Sequence, residues 1–158
     1  MTIIILIRVF MAVHLTHNNA FGDEYWQGTE AAYGIVYGNV ELTWEWHKDY
    51  RIRGVLYPYY LAIPLWIIKT LGLDSSREVV RLAPYAAHLP LVILSDVFFY
   101  KLGKKILGTK AAKIAYMLYF TDAYFNKFLI RCFANSVESA LHLVVFYYFF
   151  DITHRLDK

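Results

Sequence analysis

Three carboxylates and an amide stand close together early in the chain: Asp23, Glu24, Gln27 and Glu30, within GDEYWQGTEAAYG. Asp23, Gln27 and Glu30 are spaced i, i+4 and i+7, so a helix puts them on one face. Trp26, Tyr33 and Tyr37 follow on an adjoining face, and such aromatics settle at a membrane–water boundary. A carboxylate held just above a bilayer can accept a proton from an attacking hydroxyl, and partial desolvation raises its pKa toward a working base. Asp23 also fits a plain helix start, where a carboxylate cap stabilises by about 1 kcal/mol. Both readings stand at this point.

Two further clusters could serve the same chemistry. LTWEW carries Trp44 and Glu45 and is followed by His47, Arg51 and Arg53. An arginine beside the carboxylates can hold a phosphate through paired N–H donors; the plain alternative is a charge reaching to lipid headgroups. His47 reads as a surface histidine. Farther on, RCFANSVES supplies Arg131, Asn135, Ser136, Glu138 and Ser139. An ionisable group beside a membrane span is a site candidate. Asn135 or Ser136 can instead cap a following helix, with Glu138 in its first turn.

The elements that must position these groups are apolar. Of 158 residues, 58% are hydrophobic and 18% charged, against about 25% charge in an ordinary soluble domain. Mean hydropathy is +0.36. Four stretches, about 2–20, 82–102, 111–130 and 137–152, are candidates to cross roughly 30 Å of hydrocarbon. The first contains Arg8 and is expected to be an uncleaved helix, because no small-residue cleavage site follows it. The stretch 57–73 is interrupted by Pro58 and Pro64 and is expected to lie in the interface with a short helix. Lys101, Lys104, Lys105, Lys110 and Lys113 mark the link between the second and third spans as cytosolic. The first loop, 18–81, and a short one near 130–137 then lie on the opposite side. The expectation is one all-α membrane unit over residues 1–158.

Composition also excludes. A net charge of +3 without a basic patch argues against nucleic acid. The single cysteine, Cys132, forms no internal disulfide. No glycine-rich phosphate loop is present, and the carboxylates form no clear ligand set, so no metal or other cofactor is expected.

The segments GDEYWQGTEAAYGIVYGNVELTWEW, IRGVLYPYYLA and RCFANSVESAL resemble the dolichol-phosphate-mannose-dependent mannosyltransferases of the endoplasmic reticulum. The likeness covers essentially the whole chain. Its DEYWQ and LTWEW words are most similar to the branch acting on glycosylphosphatidylinositol (GPI) precursors, with the N-glycan α-1,2-mannosyl branch more distant. The resemblance implies a multi-pass fold of the lipid-donor type, called GT-C. It also implies a lumenal first loop with interfacial helices, and inverting transfer from dolichyl phosphate mannose to a lipid-linked glycan. It places the catalytic base at Asp23, with Glu24 beside it as the second catalytic candidate. Gln27, Glu30, Trp44, Glu45, Arg51, Arg53, Arg131, Asn135 and Glu138 are then the substrate-binding candidates. Two departures stand out. Phe21-Gly22 replace the His-Pro usual before Asp-Glu, and family members are much longer. The chain thus corresponds to an N-terminal third, whose remainder could be a separate chain. Two other classes remain open: a non-catalytic membrane subunit, and a channel using Asp96, Asp122 and Arg131.

Overall fold

The structure, a computed structural model, describes residues 2–16, 21–50 and 52–156. These are helical, with no strand among them. Helix α1 spans Thr2–Leu15. A second helical run begins with α2 (Gly22–Glu24), widens into a π-helical turn at Tyr25–Thr29 and continues as α3 (Glu30–Tyr37). Gly38, at φ 71°, closes it. A 3-10 turn at Trp44–Trp46 precedes α4 (Leu56–Thr70), the long α5 (Arg77–Thr121), α6 (Ala123–Leu129) and α7 (Ala134–Leu156).

Gly108 divides α5. Its φ of 79° and ψ of 169° are non-helical, a conformation open essentially only to glycine. The arms 77–107 and 109–121 fold back on each other. Ser95 hydrogen-bonds Tyr119 at 3.1 Å, Phe99 stacks on Tyr119, and Gly103 lies against Ala112. The five lysines of the expected cytosolic link surround this tip. Helix α1 runs antiparallel to the first arm, since Arg8 meets Asp96 and Thr16 meets Arg81. Helix α7 runs parallel to that arm, since Phe98 packs on Tyr147 and Lys105 pairs with Asp151. The helical stretches 2–15, 77–107, 109–121 and 134–156 thus alternate in direction. Among the described residues, α5 alone qualifies by length and apolarity as a membrane-crossing helix; α6 and α7, bent by 102°, qualify as a second if taken as one broken span. Helix α1 is apolar but shorter.

Several expected details are corrected. Helix α4 is 15 residues long, with Pro64 inside it, rather than a short helix broken by prolines. Pro58 falls in its first turn, where no backbone N–H is needed. Leu61, Ala62 and Leu65 of α4 are buried with Ala32 and Val36 of α3 and with Ala83 and Ala87 of α5. Helix α7 starts at Ala134, so Asn135 and Ser136 sit inside its first turn rather than capping it. Asp122 accepts from the Phe125 N–H at 2.8 Å and caps α6.

A buried charged cluster joins α1 to the interior of the bundle. Arg8 donates to both carboxylate oxygens of Asp96, at 2.9 and 2.6 Å, and to Asn126. Its guanidinium also lies 4.7 Å from the centre of the Phe120 ring. Arg8 and Asp96 are fully buried. Three elements, α1, α5 and α6, are tied at this point.

Candidate functional site

The π turn controls where the early carboxylates go. One residue is added to the helical turn, so the i, i+4, i+7 alignment fails after Gln27. Asp23 and Gln27 line a cleft of about 340 Å³, walled by Phe125, Phe128 and Leu129 of α6, Phe133, and Ala134, Asn135, Ser136 and Ser139 of the next helix. Glu30 lines a different cleft of about 650 Å³, with Tyr25, Tyr33, Asp74, Arg77, Arg81 and Tyr85. The expectation that Asp23, Gln27 and Glu30 share one face is therefore overturned.

Adjacent side chains on a helix diverge by about 100°, and here Asp23 and Glu24 meet opposite environments. Asp23 is exposed. Glu24 is 3% exposed and both of its oxygens accept hydrogen bonds. The Tyr85 hydroxyl and the Cys132 backbone N–H donate to Oε1 at 2.6 and 3.0 Å, and Arg131 donates to Oε2 at 2.7 Å. Arg131 is itself buried, with its guanidinium 4.6 Å from the Phe21 ring centre. Its guanidinium pairs with Glu24, and Arg131 is not among the residues that line the Asp23 cleft. Gly28 packs so closely on the same turn that a Cβ there would stand 2.9 Å from the Cys132 carbonyl oxygen.

The other candidates distribute as follows. Asn135 lines the Asp23 cleft. Arg53 pairs with Glu45 at 2.7 Å, and its pKa is raised by the hydrogen bond to Glu45 and, more weakly, by the charges of Glu45 and Asp23. Its Nε is buried and has no acceptor among the described residues. The segment that carries it is strapped down by Trp46, whose indole N–H donates to the Trp26 carbonyl at 3.0 Å. Trp44 is exposed and packs edge-on to Tyr50. Glu138 is exposed on α7 and lines neither cleft. Arg51 lies outside the described residues. Glu30 hydrogen-bonds Tyr25 and, through that bond first and burial second, pushes the phenol pKa up to about 12. No group of three or more potential metal ligands gathers among the described residues.

Sequence reasoning missed Tyr85, the Cys132 N–H, and the aromatic wall of Phe125, Phe128 and Phe133. Tyr85 lies 61 residues from Glu24, and only its hydroxyl inside an apolar stretch hinted at a polar partner.

A model of the Alg9-like mannosyltransferase family matches residues 1–157. The chain belongs to that family. Among its relatives, the GPI mannosyltransferase 3 of Yarrowia lipolytica is 34% identical over 149 residues, which are 93% of this chain and 29% of that protein. The Trypanosoma brucei brucei protein of that name is 40% identical over 81 residues, 51% of this chain and 14% of its own length. The GPI alpha-1,2-mannosyltransferase 3 of Bos taurus is 29% identical over 127 residues, 80% of this chain and 23% of its own. The chain thus spans under a third of these Alg9-like relatives. No solved structure matches it.

Proposed function

We propose that this chain is the catalytic end of an α-mannosyltransferase that moves mannose from dolichyl phosphate mannose to a lipid-linked GPI precursor. The observation that carries the reading is the contrast at Asp23-Glu24: Asp23 is open to a cleft while its neighbour is locked in place. In a single displacement, the acceptor hydroxyl oxygen bonds to the anomeric carbon as the bond from that carbon to phosphate oxygen breaks. Asp23 takes the hydroxyl proton. The polyprenyl phosphate leaves with the electron pair of the broken bond, and the Arg53 guanidinium offers it positive charge. Gln27 and Asn135 line the same cleft and supply hydrogen bonds for sugar hydroxyls.

The reading includes a setting in the endoplasmic reticulum membrane, with the Asp23 end lumenal and the lysine-rich tip cytosolic. The charge distribution supports it, as does an outer surface that exposes Ile114, Met117, Leu118, Val145 and Phe149.

The test is Asp23→Asn in the full-length protein, assayed in microsomes for mannose transfer to lipid-linked acceptor. Loss of a general base lowers the rate by about 10²–10⁴-fold, with protein amount unchanged. Wild-type turnover by the variant would overturn the proposal and favour a non-catalytic subunit.

A further inference from the structure

We infer that Glu24 is a positioning residue rather than a proton acceptor, and that with Arg131 it sets the spacing between Asp23 and the opposite wall of its cleft. The inference rests on the reading of Asp23 as base. The two segments that bear the walls of the Asp23 cleft are joined through the Glu24 carboxylate, which itself lines the neighbouring Glu30 cleft. On one side is the helical run 22–37, which bears Asp23 and Gln27. On the other is the turn Arg131–Phe133, which leads directly into Asn135 and Ser136. Glu24 accepts from Arg131 and from the Cys132 backbone of that turn, and Tyr85 of α5 anchors it from behind. Gly28 brings the two backbones into contact one helical turn later.

Three donors take three of the roughly four lone-pair sites of this buried carboxylate. They fix the rotation of the short helix about its axis. Asp23 is the next residue on that helix, so its direction follows from the rotation of Glu24. A displacement of about 1 Å at a reacting group costs on the order of 10²-fold in rate, so a hub of this kind acts on turnover.

The assay is the same microsomal transfer with the full-length protein, comparing Glu24→Gln, Glu24→Gln with Arg131→Met, and Tyr85→Phe. Glu24→Gln keeps an acceptor for Tyr85 and Cys132 but leaves Arg131 charged and buried without its counter-ion. Turnover is expected to fall about 10–100-fold, with donor KM within about threefold. The acid limb of the pH–rate profile should stay where it is in the wild type, because the titrating base is unchanged. Removing the stranded charge in the double variant restores at least fivefold of the lost rate. Tyr85→Phe, which removes one hydroxyl, lowers turnover about threefold without moving the profile.

A Glu24→Gln protein that loses the acid limb, or one as inactive as Asp23→Asn and not rescued by Arg131→Met, overturns the inference and makes Glu24 part of the chemistry. If the Glu24 variants fail to accumulate, Tyr85→Phe decides alone: wild-type turnover there also overturns it. Failure of the underlying reading looks different, because Asp23→Asn would then be active whatever Glu24 does.

Discussion

Arg8 is the residue whose environment departs most from its position in the sequence. It interrupts an apolar run, and nothing near it in the chain could neutralise it; Asp96 lies 88 residues away. Their pairing, with Asn126 completing the donor–acceptor set, accounts for two charges inside the bundle. It also takes Asp96 out of the candidate pathway residues. Breaking a buried pair leaves one uncompensated charge and destabilises by about 3–5 kcal/mol. Arg8→Met or Asp96→Leu alone should therefore lower the thermal midpoint of the detergent-purified protein sharply, whereas the double variant should recover most of the loss. Equal damage in single and double variants would mean that the pair contributes through packing alone. Single residues were legible only in part. Asp23 could be singled out from its type and its neighbours. That Glu24 and Arg131 would consume each other could not, because 107 residues separate them and no local pattern encodes the contact.

Among the elements, the π turn at Tyr25–Thr29 decides which carboxylates share a cleft. A 3.6-residue period places Glu30 under Asp23; the widened turn moves it to the other side of the helix. Gly28 and Glu24, four residues apart and so on one helix face, both face the backbone at Cys132. Gly28→Ala should therefore be costly. Its new Cβ meets a carbonyl oxygen rather than a flexible side chain, so the destabilisation is about 1–3 kcal/mol, and transfer activity should fall with it. Unchanged melting and turnover for Gly28→Ala would show that the two segments separate without consequence. The boundaries of the other elements were legible where a strong signal existed. The lysine-rich link marked the hairpin tip at Gly108. The start of α7 and the length of α4 were misread, since the extent of a helix depends on what it packs against, and α4 is buried on both α3 and α5.

For the molecule as a whole, the helical stretches 2–15, 77–107, 109–121 and 134–156 alternate in direction, and the run 22–37 meets the turn at 131–133 through Glu24 and Arg131. The opposite end carries the lysine tip and the Lys105–Asp151 pair. A single cysteine placed at Lys48 or at Lys104, both exposed, tests the proposed sidedness. An impermeant maleimide added to sealed microsomes should label Lys104→Cys directly and Lys48→Cys only after permeabilisation; labelling of both from one side would overturn the topology. The native Cys132 gives no background. It is 1% exposed, and burial, followed by the nearby Glu24 charge, pushes its thiol pKa well up. The same geometry bears on how the polypeptide is made. In the proposed membrane setting, Arg8 enters the insertion machinery while its counter-charge is still untranslated, and at about 5–20 residues per second Asp96 follows roughly 4–18 s later. An unpaired arginine in the middle of a span costs about 2.5–3.5 kcal/mol on insertion scales. The nascent first helix must therefore be sheltered at the translocon until the fifth arrives, so that slowing elongation between them would send more of the newly made protein to degradation.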